Sequence, residues 1–305
     1  MKKALLLISI VALFFSCKTS NEPAGQMVDV TVVLSGIDIQ VTPEDAPSRM
    51  PAASDKGPSD AKVKRIALSV FDLNDSLITS VTQNQDVDAA NFGQSITFRL
   101  PVGSYKFVAV AHGASSALVP VATINSVTEF SRGTEKVSNP TYSTVQDVTI
   151  SGNTTQAVTI DMGTRKNASF GAKFTDDNPS DVKKILLIVS PASNDYSDIK
   201  VNPLTGFAAA QWKYEKSYDL EASNIPTTKG GTFNVSLMLT AASQTLDVTI
   251  NALGATNDTL YTRTLQNVTF QQGHKTLATG SFFSPEMTGT FTFDVTEITD
   301  NISLD

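Results

Sequence analysis

The sequence predicts an all-β protein built as two tandem β-sandwich domains, and three observations carry that expectation. The first is composition: 41% of the residues are apolar and only 17% are charged. Thr, Val, Ser, Ile and Phe dominate over Glu, Lys and Arg, and β-branched and aromatic side chains suit a pleated, half-buried surface. The second is a period-two alternation of apolar and polar residues, the mark of a strand with one buried face. The third is that the order of the strand patterns repeats once along the chain. At 305 residues the chain has the length of two ordinary domains. Its apolar content is enough to bury a core in each.

The N-terminus opens with Lys2 and Lys3, followed by the apolar run Ala4 to Phe15, too short to span a bilayer comfortably. This is the layout of an export signal. Leu13-Phe14-Phe15-Ser16-Cys17 then resembles a lipobox, with a small residue before the cysteine that becomes the first mature residue. Phe14 and Phe15 are bulkier than is usual there. Cys17 is the only cysteine of the chain, so it has no internal disulfide partner. It reads as a lipidation site, or as an incidental cysteine in a simple secretory peptide. Acyl chains contribute roughly 0.8 kcal/mol per buried CH₂, and two or more of them anchor stably. Residues 18–26, polar and broken by Pro23 and Gly25, read as a tether.

From residue 27 the alternation begins. Val28, Val30, Val32 and Leu34 mark a first strand, and Ile37, Ile39 and Val41 continue the pattern. Pro43, Pro47, Pro51 and Pro58 make residues 43–61 an exposed linker whose single arginine is Arg49. Strands follow at Ile66 to Phe71 and Ile96 to Leu100. The turn Pro101-Val102-Gly103-Ser104 leads into a hairpin partner, Tyr105 to Ala111. Val148 to Ile150 and Val158 to Ile160 flank the turn Ser151-Gly152-Asn153. The second half repeats this order. Val63 to Val70 matches Val182 to Val189, Tyr105 to Ala111 matches Leu246 to Ala252, and the 148–158 hairpin matches Val268 to Ala278. The domains are therefore expected at residues 27–163 and 164–305. Asp86 to Asn91 and Ala208 to Lys216 could each hold a short helix between strands, though neither shows a sustained apolar stripe.

Few residues suit chemistry. The net charge of −7 and the lack of a basic stripe argue against nucleic-acid binding. The two histidines, His112 and His274, read as exposed polar residues in turns, without a nucleophile motif or metal-ligand spacing. Asp176-Asp177-Asn178 lacks the alternation of a calcium loop and reads as a turn. No catalytic residue, metal site or cofactor is expected. Trp212 with Tyr214 and Tyr218 offers either rings to stack on a sugar or a set of core aromatics. The sugar-stacking reading makes the chain a surface glycan-binding lipoprotein of a polysaccharide uptake system.

The strand Val63-Lys64-Arg65-Ile66-Ala67-Leu68-Ser69-Val70-Phe71-Asp72, the hairpin Leu100-Pro101-Val102-Gly103-Ser104-Tyr105-Lys106-Phe107, and the late run Val268 to Phe283 together resemble the Bacteroidetes fimbrillin superfamily. The resemblance covers most of residues 28–285. It implies two Greek-key, transthyretin-like sandwiches, export as an outer-membrane lipoprotein through Cys17, and assembly into a type V fimbria. It also implies fimbrial partners joined by β-strand addition, and adhesion to host or bacterial surface ligands. In stalk subunits of that superfamily an arginine-specific protease removes the first strand and a neighbour's C-terminal strand fills the groove; anchor subunits keep lipid and first strand. Carried onto this chain, the displaced strand would hold Val28, Val30, Val32 and Leu34, and Arg49 would be the cleavage point or simply a solvated linker residue. The tail Thr290 to Thr296 would present Phe291, Phe293 and Val295 as a donor strand, or would close its own domain. Asp75-Ser76-Leu77 and Asp258-Thr259-Leu260 resemble O-glycosylation triplets, which also arise by chance in a chain this rich in Ser and Thr.

Overall fold

The computed structural model describes residues 25–37, 63–114, 117–132, 140–152, 154–190, 199–220, 232–283 and 291–298. Within them every regular element is a strand. The first half contains β1 (Met27–Ser35), β2 (Arg65–Phe71), β3 (Leu77–Asn84), β4 (Ile96–Pro101) and β5 (Gly103–His112). It continues with β6 (Thr123–Ser126), β7 (Glu129–Arg132), β8 (Thr141–Ile150) and β9 (Thr155–Asp161). Two sheets, ordered β4-β1-β9 and β3-β2-β5-β8, enclose one core. The alternating sequence of β1 delivers Val28, Val30, Val32 and Leu34 to that core and leaves Asp29 outside.

β2 is buried along its whole length, and β5 from Phe107 onward. Their near-continuous apolar runs have the same cause, cover on both faces. The outer face of their sheet is closed by a small cluster in which Phe71 and Val108 meet Val127 and Ile124, from the β6–β7 region.

The second half contains β10 (Ala168–Phe174), β11 (Lys184–Ser190), β12 (Ile199–Val201), β13 (Tyr214–Asp219) and β14 (Thr232–Leu237). It ends with β15 (Ser243–Leu253), β16 (Thr259–Gln271), β17 (His274–Gly280) and β18 (Thr292–Glu297). Its sheets run β14-β10-β17-β18 and β13-β11-β15-β16. Strand for strand this is the first half again. β10 lies antiparallel to β14 and parallel to β17, as β1 lies antiparallel to β4 and parallel to β9. β11 sits between β13 and β15 as β2 sits between β3 and β5. In these two sheets β18 alone has no counterpart; β6, β7 and β12 stand outside the repeat.

The halves meet through a fifth, three-stranded sheet, β12-β7-β6, in which Val201, Lys200 and Ile199 pair with Phe130, Ser131 and Arg132. Phe130, Ala122 and Val110 from the first half are buried in the same cluster as the second half's Ile199, Val201 and Leu239. Lys200 and Glu129 add an ion pair of 3.1 Å across it, partly open to solvent.

Neither segment that could hold a short helix does so. Residues 86–91 are turns, because Asn84 Oδ1 accepts the Asp86 N–H and Asp88 Oδ1 accepts the Asn91 N–H. Such local side-chain bonds compete with helix formation. Within 208–216 the chain makes a bridge at Ala208 and then enters β13 at Tyr214, where pairing with β11 overrides local propensity.

Candidate functional site

The terminal strands are the candidate site. β1 is the centre of its sheet, with a register of six residue pairs to β4 and seven to β9. Val28 and Val30 have no exposed surface, and Leu34 only 6%. Withdrawal of β1 would leave unpaired main-chain groups on both β4 and β9 and would open an apolar stripe over Phe98, Leu100, Val158 and Ile160. Cys17 and Arg49, which flank β1 in the sequence, lie outside the described residues.

The tail is the outermost strand of its own sheet. Val295 stands opposite Thr276 and Phe293 opposite Ala278, so both point to the side on which Thr276 and Ala278 are buried. The facing sheet ends at β16, which packs under β17, so β18 overhangs it. The result is 49% exposure for Phe293 and 41% for Val295. Phe291 is different. It is buried against Gly280, where a Cβ would come within 2.9 Å of the ring, and the Arg263 guanidinium lies 4.6 Å from the ring centroid. Ile298, also buried, donates its N–H to the Gly273 carbonyl at 2.7 Å and fixes the strand's other end.

The remaining sequence candidates are structural in their settings. Trp212 is half-buried against the second-half core, beside which Tyr214 is fully buried and donates its hydroxyl to the Met238 carbonyl at 2.9 Å. The Tyr218 hydroxyl is engaged with the Asn234 backbone, so the three rings do not form an open platform. Asp176 ties β10 to the end of β17: it accepts from the Ser281 hydroxyl and from the Phe282 and Phe283 amides. Burial pushes its carboxyl up, but these hydrogen bonds together outweigh burial and hold it below the usual range.

His112 corrects the expectation of an exposed turn residue. It is 1% exposed, its Nε2 accepts the Ala122 N–H at 3.2 Å, and its Nδ1 donates to the Gly113 carbonyl at 2.7 Å. That pattern fixes the neutral tautomer with the proton on Nδ1. Burial, then the positive charge of Arg132, lowers its pKa well below the ordinary histidine value; the Gly113 bond opposes this, and Arg65 adds to the lowering. His274 is half-buried, its Nδ1 within 2.9 Å of the Gln272 carbonyl. Among the described residues no group of His, Cys, Asp or Glu has metal-site geometry, and no helix is long and apolar enough to cross a membrane. No pattern in the sequence marks the junction residues Phe130, Ile199 and Val201, whose strands are too short to show a period.

A family model described as fimbrillin-A associated anchor proteins Mfa1 and Mfa2 matches residues 35–299. The chain belongs to this family. Among solved structures, the fimbrial anchor protein Mfa2 from Porphyromonas gingivalis is similar at 10% identity and a TM-score of 0.48, over 89% of this chain and 98% of that one. A fimbrial assembly protein from Parabacteroides distasonis is similar at 12% identity and a TM-score of 0.43, over 89% and 99%. No curated protein matches. Membership of the Mfa2 family rests on the family model, since structural likeness at this level carries no further argument. The family is one of fimbrial proteins, as the resemblance of the sequence implies.

Proposed function

We propose that this chain is the anchor subunit of a fimbria, held at the outer surface of the cell by lipid on Cys17 and joined to the next subunit by β-strand addition. Family membership supports the fimbrial part of this reading. The observation that carries the anchor part is the seating of β1. It fills its own groove from both sides, with its apolar residues in the core. A subunit in this state has no vacant groove in its first half and ends a fibre rather than extending it. It also keeps the polypeptide that leads to Cys17, whereas a cut at Arg49 would part β1 and its lipid from the rest.

The tail is the strand most readily lent to a neighbour. β18 is paired on one side only, and its six residues are all exposed. An extended segment with alternate apolar side chains is the donor that β-augmentation uses, with Phe293 and Val295 as the specificity-bearing residues.

The test is mass spectrometry of the protein isolated from its own cells. The expected species begins at an acylated Cys17 and retains Arg49 in an uncut linker. An unmodified Cys17 on protein free in the medium would remove the anchor reading. A new N-terminus at Met50 would make the chain a polymerising subunit. The glycan-binding alternative predicts that Trp212→Ala abolishes binding on a glycan array, and the packing of Trp212 against the core gives it no support.

A further inference from the structure

The first sandwich has two ends. β1 starts at one, where Met27 pairs with Pro101, and runs to the other, where Ser35 pairs with Asp161 just before the second half begins. The leading end also carries the β4–β5 turn at Val102, the β8–β9 turn and the β2–β3 turn. Gln26 binds two of these turns: its carbonyl accepts the Val102 N–H at 3.0 Å, and its side chain donates to the Gly152 carbonyl at 2.7 Å. The third is drawn in by the ion pair of Asp75 with Lys106, 3.0 Å. The second half lies beyond the opposite end.

Of the ten large apolar side chains exposed among the described residues, five gather at this leading end: Met27, Leu73, Leu77, Ile78 and Val102. Leu73 is 62% exposed. The acidic residues of the β2–β3 turn are engaged locally. Asp72 accepts the N–H groups of Asn74 and Ser76, both at 2.8 Å, and thereby shapes the turn that lifts Leu73 outward. Asp75 is neutralised by Lys106. A rim of apolar side chains on loops suits insertion among lipid chains.

We infer that this end of the first sandwich rests on the membrane, with Leu73, Leu77, Ile78, Val102 and Met27 dipping into the lipid surface. The inference rests on lipid at Cys17. Cys17 precedes Met27 by ten residues, which span at most about 35 Å when extended, so a bilayer holding the lipid is within reach of the rim. The lipid supplies attachment; the rim sets orientation, pointing the second half and its tail away from the cell.

The lipidated full-length chain offers a clean test, because acylation consumes the only cysteine sulfur. Leu73→Cys then provides one free thiol for an environment-sensitive fluorophore. Leu204→Cys, at a 61% exposed position in the second half, is the control. Both are reconstituted into vesicles of phosphatidylethanolamine and phosphatidylcholine and recovered by flotation. The expected result is blue-shifted emission at position 73, quenched by bilayer-embedded nitroxide lipids and shielded from iodide, with aqueous behaviour at 204. Vesicles that float while the label at 73 behaves like that at 204 would overturn the docking and leave the lipid anchor standing. Protein whose intact mass lacks acyl chains and which does not float would overturn the anchor reading, and the docking with it. A sugar found on Ser76 in the native protein would overturn the docking alone, since it would hold the turn off the bilayer.

Discussion

The alternation in β1 makes a quantitative prediction about stability. Val30 is fully buried between β4 and β9, and Val30→Ala removes two carbons from a closed site. Transfer of two carbons is worth about 1.6 kcal/mol at about 0.8 kcal/mol each. The cavity left behind raises the cost to about 2–3 kcal/mol. At about 2–4 °C per kcal/mol for a domain of this size, the melting temperature should fall by about 5–10 °C. Asp29→Ala, one residue away on the outer face, removes only a solvent-facing cross-strand neighbour of Arg99 and should cost about 0.2–1 kcal/mol. Urea titration of the two variants beside the parent chain measures both, with the slope of the transition unchanged. Because side chains alternate faces, a slip of one residue would exchange the two outcomes. A silent Val30→Ala beside a damaging Asp29→Ala would refute the register, and with it the claim that β1 closes its own groove.

Other predictions concern the junction and the tail. Phe130→Ala, which empties a fully buried site between the halves, should cost about 3–5 kcal/mol. It should split a single calorimetric transition into two, whereas Lys200→Ala, at a partly solvated ion pair, should change stability by no more than about 1 kcal/mol. Stability should decline as pH falls through about 6.5, because the unfolded chain takes up a proton on His112 that the folded chain refuses. Urea midpoints across pH 5 to 8 would show this slope, and His112→Gln should flatten it. Gly280→Ala should push the Phe291 ring from its seat and raise amide exchange across residues 292–297, while exchange in β10 stays slow.

Much of this architecture was legible because its long strands carry their own period. The matches of Val63 to Val70 with Val182 to Val189 and of Tyr105 to Ala111 with Leu246 to Ala252 correspond to β2 with β11 and β5 with β15, at equivalent places in the two halves. What was hidden is non-local. β6, β7 and β12 are three or four residues long, and nothing in so short a stretch announces a partner seventy residues away. His112 looked exposed because it ends a strand. It is buried because β6 begins beside it, at the Ala122 amide. The tail alternates like any edge strand, and only the sheet order shows that β18 reaches past β16. The rim at the leading end was equally invisible, since Met27, Leu77 and Val102 are brought together by strand register alone.

The position of β1 has a mechanical consequence. A pull arriving through the residues before Met27 acts along the axis of that strand, while its hydrogen bonds to β4 and β9 run across the axis on both flanks. The load is therefore shared by both ladders at once, as in a lap joint, and the strand cannot be peeled away bond by bond from one edge. In the proposed anchor, drag on the fibre would be met by both ladders of the strand nearest the lipid, while β18, fastened along one flank, would be lifted in steps by a neighbour that takes it.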